Sequence, residues 1–334
     1  MPAAEVKAIL EAEGYSYENV SEFDQILRLE AEVSCVQSVQ VRSAYTRFSA
    51  LEIFVSNATH EEITKAAAET DFKAILKPDE SFVVRINRIK NYADQALNTM
   101  ELEGKLGKQI LNSTEGTKVS LKNPDKTFIG IITDEKLILG LKLTDITSKT
   151  FSERRPRKKP FFHPSAMPSK MARCMVNLAH GKAESLVLDP FCGTGTSLIE
   201  ASYIGCRAVG VDAQKRMILG TRKNLRFFNI SAEGLLLADS RKPPFFKVDC
   251  IVTDPPYGRS SSTMKSTTEQ LVKDVLASSR ELLGVGQRIC IASPKTLNIS
   301  RLGTELGYRH LESHFAYIHG SLTREIAVFE KVTT

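Results

Sequence analysis

The chain has 334 residues, enough for two or three domains, and 42% of them are hydrophobic, which excludes a disordered polymer. A net charge of +6 and a pI of about 8.9 are compatible with a nucleic-acid partner. No run approaches the roughly 18 apolar residues of a membrane-spanning helix, no signal-peptide pattern opens the chain, and the six cysteines contain no Cys-x-x-Cys pair, so a cytoplasmic protein without a metal site or disulfide framework is expected.

Residues 1–57 alternate a helical segment with strand-like runs. Leu27-Arg28-Leu29-Glu30-Ala31-Glu32-Val33 and Ala50-Leu51-Glu52-Ile53-Phe54-Val55 both show a period of two. A small α+β module of ferredoxin-like type is expected there. Residues 58–145 make a second module. It opens with a helix over 60–70, in which His60 reads as a capping or surface residue. An alternating strand follows over 81–88, with Arg85 among apolar neighbours. A helix over 100–111 contains Glu101-Leu102-Glu103-Gly104-Lys105-Leu106-Gly107. After the turn Leu121-Lys122-Asn123-Pro124-Asp125 come two strands, over 128–132 and 136–143.

A basic linker is expected over 146–162. Residues 149–173 hold eight bases and a single acid, Glu153, around the core Arg154-Arg155-Pro156-Arg157-Lys158-Lys159-Pro160. Such a run is either a solvated tether or a contact surface for phosphates. It leads through Phe161-Phe162-His163-Pro164-Ser165-Ala166-Met167-Pro168-Ser169-Lys170 into a helix over 171–179.

The third module, residues 163–334, carries the chemistry. The apolar strand Ser185-Leu186-Val187-Leu188 runs into Asp189-Pro190-Phe191-Cys192-Gly193-Thr194-Gly195-Thr196 and then a helical pattern. Strand, glycine turn and helix form the nucleotide-binding half of a Rossmann-like unit. The strand Arg207-Ala208-Val209-Gly210-Val211 ends in Asp212, about 17 residues beyond Gly195, near the spacing of a ribose-binding carboxylate. Leu235-Leu236-Leu237-Ala238 ends in Asp239. Leu198 occupies the third glycine position of a dehydrogenase fingerprint, and no lysine follows the glycines as in a P-loop. Acids at the strand ends suit an uncharged or cationic ligand with a ribose better than a pyrophosphate.

A further apolar run, residues 248–253, stops at Asp254-Pro255-Pro256-Tyr257. Two prolines cannot continue a sheet ladder, so Asp254 is expected at a strand's carboxyl end, where open α/β sheets bind ligands. Its carboxylate and the Pro255 carbonyl can accept hydrogen bonds from an exocyclic amine, while Tyr257 offers a face for base stacking. A basic helix over 213–228, a helix over 267–283, a strand over 288–292, a helix over 299–306 and a closing hairpin complete the chain. Alternating strands and helices imply a mostly parallel sheet.

Together these four motifs, in this order, resemble the S-adenosylmethionine-dependent amino-methyltransferases. The strand with arginines, the Glu-Gly-Lys-Leu-Gly helix and the Leu-Lys-Asn-Pro-Asp turn resemble a THUMP domain, an RNA-binding module of tRNA-modifying enzymes. The whole chain is similar to the archaeal tRNA guanine-N2 methyltransferases of the guanosine-10 type, through Phe-His-Pro-Ser, Asp-Pro-Phe-Cys-Gly-Thr-Gly-Thr, Asp-Pro-Pro-Tyr-Gly-Arg-Ser and Ser-Leu-Thr-Arg, which ends at Arg324.

The resemblance implies an α/β fold whose C-terminal domain has a seven-stranded, mostly parallel sheet. It implies S-adenosyl-L-methionine as cofactor and tRNA as partner through the THUMP domain and linker, with no membrane partner. It also assigns roles. His163, Pro164 and Ser169 would flank the methionine end of the cofactor. Asp189, Cys192, Gly193, Thr194, Gly195 and Thr196 would hold its amino-acid end, Asp212 its ribose, and Ala238 and Asp239 its adenine. Asp254, Pro255, Pro256 and Tyr257 would carry catalysis, with Asp254 also bordering the cofactor. Cys192 lies in the cofactor turn rather than beside the base, which argues against a covalent cytosine mechanism. The alternatives are an amino-methyltransferase acting on another tRNA position, ribosomal RNA or DNA adenine, and an inactive tRNA-binding protein.

Overall fold

A computed structural model describes residues 1–89, 97–242, 247–256, 268–319 and 322–333. Tyr257 lies outside the described residues. The first half of the chain runs α1 (Pro2–Glu13), β1 (Tyr17–Phe23), β2 (Ile26–Ala31), α2 (Cys35–Arg42), β3 (Phe48–Asn57), α3 (His60–Ala68), β4 (Ser81–Arg88), α4 (Thr99–Ser113), β5 (Lys118–Val119), β6 (Lys126–Thr133) and β7 (Lys136–Asp145). The second half runs α5 (Lys149–Glu153), α6 (Ser169–Leu178), β8 (Leu186–Asp189), α7 (Thr196–Ser202), β9 (Arg207–Asp212), α8 (Lys215–Phe227), β10 (Gly234–Leu237), β11 (Cys250–Thr253), α9 (Thr268–Leu282), β12 (Arg288–Pro294), α10 (Ile299–Glu305), β13 (Tyr308–His319) and β14 (Leu322–Lys331).

Two compact units form. One comprises Ser16–Gln40 and Arg47–Ile146; the other comprises Met1–Tyr15, Val41–Thr46 and Thr147–Thr334. The separate module expected over residues 1–57 therefore does not form. Its strand β3 pairs antiparallel with β7, beyond the expected boundary. Its first helix packs elsewhere: Glu5 and Ala8 are buried, and Ala8 belongs to the core that holds Met171, Met175 and Val187.

In the first unit, β1 and β2 form a hairpin. The larger sheet has the order β3-β7-β6-β4-β5. α4 starts where Asn98 caps the backbone N–H groups of Met100 and Glu101. It buries Leu102, Leu106 and Ile110, one residue per turn on a single face. That face meets Phe72, Phe82 and Phe128, whose rings pack edge to face.

In the second unit, the described residues form a seven-stranded sheet of order β10-β9-β8-β11-β12-β14-β13. β10, β9, β8, β11 and β12 are parallel. β14 is antiparallel to both neighbours, as the closing hairpin implied. One core, with Val187, Leu198, Cys250 and Val252, and a second, with Leu188, Val211, Ile251 and Phe329, bury the sheet strands. Burial on both faces explains why these strands read as continuous apolar runs. Among the described residues no helix is long and apolar enough to cross a membrane.

The linker is not a free tether. α5 precedes a 3-10 turn at Pro156–Lys158, and the side chains of Phe151, Arg154 and Lys159 are buried. Arg154 makes two hydrogen bonds to Glu200 of α7. The backbone of Phe161 exchanges hydrogen bonds with the Asn224 side chain. A Cβ on Gly220 would lie 2.1 Å from the Phe161 ring, so only glycine lets the linker lie this close to α8. Arg155, Arg157 and Lys158 remain outside the core, unlike Arg154 and Lys159.

Candidate active site

Four parallel strands stop along one edge of the sheet, and each delivers an acid there. Asp189 and Asp212 end β8 and β9; Asp239 and Asp254 lie just beyond β10 and β11. The strand order therefore sets the acids in the row Asp239, Asp212, Asp189, Asp254. This is the edge at which parallel sheets bind ligands.

Asp189 is buried. It accepts hydrogen bonds from the Phe191 N–H, the Ser197 side chain and Thr253 Oγ1, the last at 3.1 Å. Burial pushes its carboxyl up to about 7 against the pull of these bonds, and the nearby Asp254 charge adds to the rise. Thr253 immediately precedes Asp254, so this one hydrogen bond ties the glycine motif to the Asp-Pro-Pro motif.

The turn after Asp189 folds around its glycines. Gly193 and Gly195 have φ of 50° and 78°, the left-handed region that glycine adopts without strain. A Cβ on Gly195 would come within 2.7 Å of Thr221. Thr221 Oγ1 donates to the Gly193 carbonyl, and Asn224 Nδ2 donates to that of Thr194. Asp212 accepts from the N–H groups of Gly193 and Gln214. Burial pushes its carboxyl up, against these two bonds. Among the described residues, a Cβ on Gly193 would meet nothing nearer than the Phe191 carbonyl at 3.8 Å, which leaves room for a ligand over that face of the turn.

The other expected residues are placed as follows. Cys192 is buried, and its thiol is pushed well up by burial. A thiol held in that state is a poor nucleophile. Asp239 is bound by Arg241, whose hydrogen bonds hold its carboxyl below the usual range. The Ala238 N–H donates to the Asp212 carbonyl. His163 pairs its Nδ1 with Ser165 Oγ at 2.7 Å, and Pro164 is exposed. Ser169 is buried and donates to the Arg154 carbonyl, which fastens the linker. Thr194 and Thr196 bring their hydroxyls 3.4 Å apart. Pro255 is buried and Pro256 half-buried.

Arg324 carried no expected role. It lies in β14 opposite Pro294, at the carboxyl end of β12. Its Nη2 is 3.0 Å from Asp254 Oδ2. Its signals in the sequence are the Ser-Leu-Thr-Arg stretch that ends on it and the charge standing before an apolar strand. Among the described residues no cluster of three or more His, Cys, Asp or Glu side chains could hold a metal.

The arrangement is a sheet edge with an open glycine turn, a row of four carboxylates and, after β11, an acid paired with Arg324. Comparison with known proteins agrees with that chemistry. The model for an RMKL-like methyltransferase domain matches residues 156–324, and that for a THUMP domain matches residues 57–142. The tRNA (guanine(10)-N2)-dimethyltransferase of Methanothermobacter thermautotrophicus is 36% identical over 333 residues, covering 99% of this chain and 96% of that protein. The protein of the same name from Pyrococcus abyssi is 31% identical over 264 residues, covering 78% and 76%. Two solved structures share the fold at a TM-score of 0.54. One is a possible methylase from Clostridium difficile 630, 16% identical and covering 99% of this chain and 96% of that one. The other, SMU.472 complexed with SAH, is 15% identical with the same coverage. The chain belongs to the THUMP-bearing methyltransferase family that includes the archaeal tRNA (guanine(10)-N2)-dimethyltransferases.

Proposed function

We propose that this methyltransferase transfers one or two methyl groups from S-adenosylmethionine to the N2 amine of guanosine 10 in tRNA. The identity of 36% across nearly the full length of an archaeal relative so named is the observation that carries the substrate. Both halves of the chain fit the task. The THUMP unit and the outward-facing linker bases bind tRNA, and the acid row of the other unit binds the cofactor.

S-adenosylmethionine supplies an electrophilic methyl group on a sulfonium. Asp189 and the Gly193–Gly195 turn would hold its amino-acid end, Asp212 would meet the ribose hydroxyls, and Asp239 would meet the adenine amine. Asp254 and the Pro255 carbonyl receive the N–H bonds of a guanine taken out of its stack. The nitrogen lone pair of that amine is delocalised into the ring. Accepting its N–H bonds out of plane favours a tetrahedral nitrogen that can attack. Transfer of the sulfonium methyl to that nitrogen would leave the neutral thioether as leaving group, and the nitrogen would give up its extra proton to solvent. Positive charge grows on nitrogen beside Asp254, so the interaction strengthens in the transition state. Arg324 holds one oxygen of that carboxylate in place.

Mass spectrometry of nucleosides from unmodified tRNA transcript incubated with protein and cofactor tests the reading. N2-methylguanosine or N2,N2-dimethylguanosine at position 10 is expected. Methyladenosine, a ring-methylated guanosine, or product formed only on ribosomal RNA or DNA would overturn it. Calorimetry showing no cofactor binding would identify an inactive tRNA-binding protein.

A further inference from the structure

We propose that Lys159 provides the counter-charge for the carboxylate at the amino-acid end of the cofactor. The proposal rests on the S-adenosylmethionine reading above. It starts from an unusual lysine. Lys159 belongs to the basic linker, yet only 5% of it is exposed. Its ammonium donates to Thr196 Oγ1 at 2.7 Å, and Thr196 directly follows the glycine turn. The Thr196 hydroxyl in turn lies 3.4 Å from that of Thr194, inside the turn.

Among the described residues, no acid pairs directly with Lys159. The acid whose field it feels most is Glu200, one helical turn beyond Thr196 on α7. Both oxygens of Glu200 are already engaged: Arg154 of the linker binds them at 2.8 and 3.1 Å, and Arg173 of α6 approaches at 3.0 Å. Three cations thus share one carboxylate, and Arg154 and Arg173 are the ones in ion-pair contact with it. Burial, together with the Arg154 charge, pushes the Lys159 ammonium down to about 8 despite Glu200. A buried cation without an ion-pair partner costs free energy until an anion arrives.

The cofactor brings a single anionic group. Its sulfonium and ammonium are cations, and the strand-end acids answer those. Its carboxylate has no match among Asp189, Asp212 and Asp254. Thr194, Thr196 and Lys159 meet at the turn, so an amino-acid end lying over Gly193–Gly195 would have to turn its carboxylate toward them to be neutralised. There the Lys159 ammonium exchanges its isolation for a charge-assisted hydrogen bond.

Calorimetry on the full-length protein with two ligands tests this. S-adenosylmethionine and decarboxylated S-adenosylmethionine differ only in the carboxylate. The wild-type protein is expected to prefer the first by at least about 10-fold. Lys159→Met should erase that preference and leave affinity for the decarboxylated compound within about 2-fold. Lys159→Arg should keep it. At pH 8.5 the wild-type protein should take up part of a proton on binding S-adenosylmethionine, as ion pairing raises the Lys159 pKa. That uptake should be smaller in Lys159→Met, where only the ligand's own α-amino group, ordinarily titrating at about 7.7–8.0, remains to take up a proton.

Equal loss for both ligands in Lys159→Met would make the residue a rivet of the linker and overturn the proposal. So would a wild-type protein that binds the two ligands equally. A wild-type protein that binds neither would instead remove the cofactor reading on which the proposal stands.

Discussion

Arg324 and Asp254 form an ion pair, with Nη2 3.0 Å from Oδ2 and side chains only 8% and 17% exposed. Asp254 ends a parallel strand, whereas Arg324 belongs to the antiparallel strand β14 two places along the sheet. If the guanidinium acts by orienting the carboxylate, the two residues form one functional unit.

Asp254→Ala should therefore lower kcat by at least about 100-fold, with cofactor and tRNA affinities within a few-fold. Asp254→Asn, which keeps one acceptor, should retain more activity than Ala. Arg324→Met should lower kcat by about 10-fold with KM nearly unchanged, and Arg324→Lys should recover part of the loss. Combining Arg324→Met with Asp254→Ala should cost no more than Asp254→Ala alone. Additive losses in that double-mutant cycle would separate Arg324 from the carboxylate.

Asp189 should make cofactor binding depend on pH. Its folded pKa of about 7 lies above its ordinary value of 3.8. The folded protein therefore holds a proton between those values that the unfolded chain gives up. Stability from this group is present below about 4 and is lost as pH rises through 7. A bound ammonium prefers the ionised carboxylate, so affinity for S-adenosylmethionine should rise from about pH 6 to 8. Titration calorimetry across that range should show the rise in the wild-type protein and a flatter profile in Asp189→Asn.

The linker bases should divide by burial. Arg155, Arg157 and Lys158 stay outside the core, whereas Arg154 is buried against Glu200. Replacing the three outward-facing bases by alanine should weaken tRNA binding. The salt dependence should become shallower by about 0.7–0.9 log units per log unit for each phosphate no longer neutralised. Arg154→Ala should instead lower the melting temperature, because it leaves Glu200 buried with fewer partners. Filter binding at several salt concentrations and thermal unfolding would distinguish the two effects.

Glu5 should matter to stability although it lies far from the motifs in sequence. Its buried carboxylate accepts from Ser43 Oγ, the Ala44 and Tyr45 N–H groups and Asn177 Nδ2. Glu5→Ala strands those donors and should cost at least about 3 kcal/mol. A fragment that starts near Arg154 loses α1 as well and should be less stable than the full chain. Chemical denaturation of Glu5→Ala showing wild-type stability would contradict this.

The strand ends that bear the chemistry are legible in the amino-acid order. Each of Asp189, Asp212, Asp239 and Asp254 follows a short apolar run, and for Asp189, Asp239 and Asp254 a proline comes within a few residues to stop the strand. Strand and helix alternation then implies the parallel sheet. For the same reason the helix α4 and the closing hairpin are readable from local pattern alone.

Charges and boundaries were settled by contacts between distant segments. The linker run Arg154-Arg155-Pro156-Arg157-Lys158-Lys159 reads as uniformly solvated or phosphate-facing, yet Arg154 and Lys159 turn inward while the bases between them stay out. A base is buried when an acid or hydroxyl from another element waits for it, and Glu200 and Thr196 belong to α7. Likewise β3 joined β7 across an expected boundary, and α1 packed with the catalytic unit, because burial and strand pairing reward segments that are far apart in the chain. Arg324 met Asp254 for the same reason: the antiparallel entry of β14 sets its position, and no local pattern carries that information.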